Sequence, residues 1–178
     1  MKKIIASVFA ILVSTCVLYS QANNEEVPER LKYYKEKYEE TFQAPFEVVW
    51  SSVKEALALY KSQVAQQKNS QDDEGLFKGV IRSDNYVFTE GKDTSYQVLQ
   101  KYQYNMKYIP SGIWINGRIN YKIILKEVET NVVKMTLTSE MSALESYVTE
   151  EYHFWKSNGI LETEFIEKLK IVVANNNK

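Results

Sequence analysis

The chain has 178 residues, 44% of them hydrophobic and 25% charged, and a net charge of −1. These values fit one globular domain and exclude collagen-like, low-complexity and disulfide-scaffold classes. With 22 basic against 23 acidic residues there is no field to gather phosphates, so no nucleic-acid partner is expected.

Met1-Lys2-Lys3 opens the chain with positive charge, and Ile4 to Leu18 is uncharged and mostly apolar. This is the layout of a secretory signal peptide, with small residues Ser20 and Ala22 before a cleavage point at Asn23. Residues 1–22 are therefore read as a signal, and the product as exported to a periplasmic or extracellular space. An overlapping reading takes Val13-Ser14-Thr15-Cys16 as a lipobox, with Cys16 lipidated and the product an outer-membrane lipoprotein. In that case the anchor at Cys16 is the one contact with a membrane. Cys16 is the only cysteine, so no disulfide is expected.

Residues 23–37 read as a polar tether and a short helix, and 38–178 as one domain. Glu29 to Glu40 is dense in charge, and the short helix passes into a strand near Tyr38 to Ala44. Pro45 suits the start of a helix, where its missing N–H is not needed. Phe46, Val49, Trp50, Val53, Leu57 and Tyr60 form one apolar stripe over the following turns. A strand over Gln63 to Ser70, a turn at Asn69 to Gly75 and a returning strand over Leu76 to Ser83 come next. Gly79 is expected to mark a bulge, and Tyr86-Val87-Phe88 extends the returning strand.

After a turn at Gly91-Lys92-Asp93, the tyrosine-rich stretch Tyr96 to Tyr108 reads as a strand, broken by Pro110-Ser111-Gly112. Asn116-Gly117 is read as a hairpin turn. Arg118 to Lys126 and Val132 to Ser139 alternate in polarity, with a turn over Glu127 to Asn131. Met141 to Trp155 is read as irregular. Ser157 is expected to cap a last helix running to about Ala174, with Leu161, Phe165, Leu169 and Val172 as its stripe and Asn175 to Lys178 as a frayed tail. The connections are too short for crossovers, so the sheet should be antiparallel. The class is α+β: a curved antiparallel sheet covered by a helix from the N-terminal half and a long C-terminal helix.

Three stretches carry a resemblance: Ala44-Pro45-Phe46-Glu47-Val48-Val49-Trp50, Gly79-Val80-Ile81-Arg82-Ser83-Asp84, and Ser157-Asn158-Gly159-Ile160-Leu161-Glu162. They resemble the helix-grip superfamily. The pattern is similar to the helix-grip domains of the C-subunit lipoprotein of the bacterial β-barrel assembly machinery, and to START-like and polyketide-cyclase-like lipid carriers. The resemblance implies a sheet gripping the C-terminal helix. In the carriers, an apolar ligand lies between the two; in the assembly subunit, the fold is an interaction module of an envelope complex.

Chemistry-bearing sets are sparse. His153 is the single histidine, flanked by Tyr152, Phe154 and Trp155, and no nucleophile-elbow sequence accompanies it. Asp72-Asp73-Glu74-Gly75 lacks the ligand spacing of a calcium loop. Glu150-Glu151 are adjacent, so on a strand they point apart. No enzymatic activity, metal or cofactor is expected. The thirteen tyrosines offer apolar bodies with polar tips. Expected lining residues for an apolar small molecule or lipid are Tyr102, Tyr104, Tyr121 and Ile123 from the sheet, with Phe165 and Leu169 facing them. The competing expectation is a protein-interaction accessory module of an outer-membrane assembly complex, showing an exposed aromatic patch.

Overall fold

A computed structural model describes residues 31–91 and 94–178. The expected signal peptide, Cys16, the first part of the expected tether and the turn residues Lys92 and Asp93 lie outside these. The elements run β1 (Tyr38–Gln43), α1 (Phe46–Leu59), β2 (Val64–Gln71), β3 (Phe77–Ser83), β4 (Tyr86–Val87), α2 (Tyr96–Gln100), β5 (Trp114–Glu129), β6 (Val132–Glu145), β7 (Glu151–Trp155) and α3 (Ile160–Asn176). The seven strands form one antiparallel sheet in the order β1-β6-β5-β3-β2. β4 pairs with β5, and β7 with β6.

The fold is α+β, as the hydropathy pattern requires. Tyr38 and Phe42 alternate inward on β1, opposite Leu137 and Val133 of β6. On β5, Ile119, Tyr121, Ile123 and Leu125 point into the core, and on β6 Val133, Met135 and Leu137 do the same. α1 buries Phe46, Val49, Trp50, Val53, Ala56 and Leu57. α3 buries Leu161, Phe165, Ile166, Leu169, Val172 and Val173. The two helices pack beside each other, and one continuous apolar cluster joins them to the sheet.

Several readings of the sequence are corrected. Between Leu31 and Tyr38 there is a short turn in place of the described part of the expected helix. Tyr38 Oη accepts from Lys35 N–H at 3.1 Å and donates to the Tyr33 carbonyl at 3.0 Å, which folds the segment back. Tyr96 to Tyr108 is not a strand. Ser95 Oγ accepts from Val98 N–H at 3.2 Å, capping the short helix α2, which buries Leu99. The β-propensity of tyrosine is outweighed by that cap and by the burial of Leu99. Asn116-Gly117 is no hairpin turn. It is an irregularity inside the 16-residue β5, with Asn116 at φ +56° and a register shift between Ile115 and Arg118. Thr89 Oγ1 accepts from Gly117 N–H at 3.1 Å, and Phe88 N–H donates to the Gly117 carbonyl at 3.0 Å, so the chain passes straight through.

The stretch Met141 to Trp155 is ordered as the end of β6, a turn and β7. α3 is capped at Gly159, not Ser157. Gly159 has φ +94°, and a Cβ there would lie 2.1 Å from the Tyr33 carbonyl oxygen, so both conformation and space require glycine. The end of α3 is held where a frayed tail was expected. Asn176 Nδ2 donates to Ser52 Oγ and Glu55 Oε2, and Asn177 Nδ2 to the Gln43 carbonyl.

Gly79 also differs from expectation. It sits in regular register between Asn69 and Leu125, and the bulge lies on β2 between Val64 and Gln66. Its role is close approach: a Cβ would fall 2.4 Å from the buried Trp50 ring of α1. Overpacking of this kind costs about 1–3 kcal/mol. Gly79→Ala should therefore lower the free energy of urea unfolding by about 2 kcal/mol, and part of that loss should return in the double variant Gly79→Ala/Trp50→Leu.

Candidate functional site

Several half-buried aromatic residues gather around the C-terminal end of α1. Tyr60, at the C-cap of α1, meets Tyr86 of β4 edge-on at 5.2 Å between ring centroids and Phe165 of α3 at 6.0 Å. Phe165 stacks on Tyr121 of β5 at 5.0 Å with 24° between planes. Phe88 and Tyr102 meet edge-on at 5.1 Å. The Tyr60 and Tyr86 hydroxyls are pushed above the ordinary tyrosine pKa by burial, then by the Glu164 charge, and in Tyr86 also by Tyr102. Tyr121, almost wholly buried, is raised well above it, again by burial first. All three are neutral hydroxyls at physiological pH.

A groove of about 520 Å³ runs along α3 past this end. Ile160, Thr163, Glu164, Lys168 and Ile171 form its wall at helical spacing, on a stripe offset from the core stripe, with Tyr33 and Tyr60 also lining it. Ile171 is 57% exposed, and with the half-buried Ile160 it brackets the polar Thr163, Glu164 and Lys168 on this face. Glu167 is paired with Lys170 at 3.1 Å, whereas Glu164 and Lys168 have no ion-pair partner among the described residues.

The six expected lining residues divide. Tyr121, Ile123, Phe165 and Leu169 are brought together, but as fully buried core between sheet and α3. Tyr102 is half-buried beside Phe88. Tyr104 stands apart, stacked on Tyr34 at 4.2 Å. None of the six lines the groove. Tyr60, Ile160 and Ile171 do, and none of these three was among the expected lining residues. A signal was available: both isoleucines fall outside the apolar stripe that seats α3.

A second polar set lies at the start of α3. Glu162 is fully buried and has no ion-pair partner among the described residues. Its two oxygens accept from Ser139 Oγ and from Ser157 Oγ, the latter at 2.8 Å, while Ser157 Oγ accepts from Gly159 N–H at 3.1 Å. Burial raises the Glu162 pKa above the usual carboxylate value, and the two serine hydroxyls oppose the shift. Burial, then the Glu162 charge, pushes Tyr38 up to about 12. With both oxygens engaged, Glu162 ties the first turn of α3 to β6 and to the strand exit, and Ser157 acts through it rather than as the cap.

Other sequence candidates have local roles. His153 Nε2 lies 2.7 Å from Thr149 Oγ1, and its ring packs edge-on against Trp114. Asp72 Oδ1 accepts from Glu74 and Leu76 N–H groups, which closes the β2–β3 turn. Among the described residues no group of three His, Cys, Asp or Glu side chains is placed to hold a metal ion. Comparison with protein-family models, curated proteins and solved structures found no match to the chain.

The raised pKa of Glu162 has a direct consequence. A carboxyl that prefers its neutral form when folded contributes stability below its unfolded pKa, and that contribution is lost as pH rises through the folded value. The unfolding free energy of the native chain, measured relative to Glu162→Gln by urea titration, should therefore fall from pH 4 to pH 8 (the acid form present at roughly pH 4 being the favoured one). A difference that stays flat across this range would show that Glu162 is ionised at no cost.

Proposed function

We propose that the chain is an exported, non-enzymatic helix-grip protein that binds a lipid-like or other apolar small molecule along α3. The observation that carries this reading is the groove beside Tyr60, lined by Ile160 and Ile171. Its volume of about 520 Å³ lies within the range of small-molecule sites. Apolar side chains at either end of the stripe would take an alkyl or ring system out of water, with a gain of roughly 25 cal/mol per Å² buried. Thr163, Glu164 and Lys168 between them supply the few polar groups that set orientation. The neutral hydroxyl of Tyr60, the one of the three tyrosines that lines the groove, would donate a hydrogen bond without becoming a base or nucleophile.

The proposed chemistry is sequestration, with no bond made or broken. The element order supports the helix-grip reading: a strand, a helix, successive antiparallel strands and a closing helix, with both long helices against one sheet face. The interior between Tyr121 and Phe165 is taken by their own stacked rings, which supports a binding position on the groove side of α3 over one between sheet and helix.

The test is displacement of a fluorescent fatty-acid probe from the exported, solvent-extracted protein. The native chain should bind it. Ile171→Asp should weaken binding about tenfold, as expected for placing a charge where apolar area is buried. Val128→Asp, on an exposed sheet position, should leave binding unchanged. No binding, or equal binding by both variants, would overturn the proposal.

A further inference from the structure

A second cavity, of about 280 Å³, lies between the segment Tyr34–Tyr38 and the buried Glu162, and shares no lining residue with the groove. Three exposed lysines, Lys35, Lys37 and Lys156, stand at its rim with one acid, Glu36. None of the three lysines is in an ion pair among the described residues. The Lys156 backbone is taken, its carbonyl by Tyr104 N–H and its N–H by Asn105 Oδ1. Its Nζ donates to Tyr34 Oη at 3.3 Å, which leaves two of the three ammonium N–H groups. Three cations against one carboxylate give the rim a field that draws anions in and turns cations away.

The floor offers a donor in only one protonation state. With Glu162 ionised, Ser139 and Ser157 both spend their hydroxyl protons on it. Tyr38 Oη spends its own on the Tyr33 carbonyl. Neither serine nor Tyr38 then has a proton for a ligand, and the buried charge repels an anion. A proton on the Glu162 oxygen facing Ser139 reverses that bond. The carboxyl now donates, and the Ser139 hydroxyl turns its proton to the cavity. Burial favours this neutral form. The other ionisable groups facing Glu162 from the sheet are Tyr38 of β1 and Tyr121 of β5. Both are pushed above the ordinary tyrosine pKa by burial, then by the Glu162 charge, and so stay neutral. His153 is turned to Thr149 and Trp114 and does not line the cavity.

We propose that this cavity binds a small organic carboxylate as a monoanion, held by Lys156, Lys37 and the Ser139 hydroxyl, with one proton taken up by Glu162 for each anion bound. Tyr34, stacked on Tyr104 at 4.2 Å, supplies a flat wall for the organic body of the ligand. The proton comes from solvent. Linkage makes the coupling reciprocal: the anion tightens the hold of Glu162 on its proton by the same factor as the proton tightens the anion.

Isothermal titration calorimetry of the full chain with benzoate as the probe tests this. The native chain should bind benzoate at about pH 5 and at least about tenfold more weakly at about pH 8. Between these limits the heat should vary with the ionisation enthalpy of the buffer, in the sense of proton uptake. Glu162→Gln, which fixes the neutral form, should bind with the same affinity at both pH values and take up no proton. Lys156→Met should weaken binding about tenfold, the loss of one charge-assisted hydrogen bond. Ile171→Asp, in the groove, should change nothing. No binding at about pH 5, equal native affinity at the two pH values, a pH dependence that survives in Glu162→Gln, or loss of binding in Ile171→Asp would overturn the proposal.

Discussion

The seating of α3 on the sheet is the contact from which the rest of the site follows. Phe165 stacks on Tyr121, and both are out of water. Because helical residues three and four apart share a face, fixing Phe165 inward also fixes where every other side chain of α3 points. Leu161, Leu169 and Val172 follow Phe165 into the core, and Ile160, Thr163, Glu164 and Ile171 are turned out along the groove. Both ends of the helix are anchored. Gly159 allows the tight start against Tyr33 and Tyr38, and Asn176 and Asn177 tie the last turn to α1 and to Gln43.

The same placement explains the electrostatics. Carrying Glu162 into the interior costs solvation, and the serine hydroxyls offset part of it. Glu145 is also buried but meets N–H donors, so its shift has the opposite sign. Two buried glutamates thus behave differently because one faces hydroxyls in an apolar setting and the other faces a turn of backbone donors. Glu164, two residues beyond Glu162, stays exposed and acts on the Tyr60 and Tyr86 hydroxyls through its charge.

The helices and long strands were legible because burial there follows a strict period. The α1 stripe from Phe46 to Leu57 and the α3 stripe from Leu161 to Val173 appear in the structure nearly residue for residue. Ile119 to Leu125 and Val133 to Leu137 alternate as expected. Errors fell where a local preference met a tertiary constraint. Tyrosines at 96 to 108 favour strands, but the Ser95 cap and buried Leu99 decide for a helix. Asn116-Gly117 accepts a turn, but neighbouring strands hold β5 straight. The grouping of Tyr121, Ile123, Phe165 and Leu169 was legible as proximity. Periodicity shows that side chains face one another, but cannot distinguish a filled interface from a lined space. The groove residues Ile160 and Ile171 required the opposite question, which apolar side chains fail to fit the core stripe.

The two faces of α3 differ in kind, an inner one that is packed and an outer one that lines the groove where binding is proposed. Methyl NMR of the isoleucines during titration with a fatty-acid-type amphiphile separates them most directly. The resonances of Ile160 and Ile171 should move in proportion to occupancy, while those of Ile119 and Ile123, buried behind the Phe165 contact, stay in place. Large shifts at Ile119 and Ile123, with Ile160 and Ile171 unmoved, would place the ligand between sheet and helix and contradict the account.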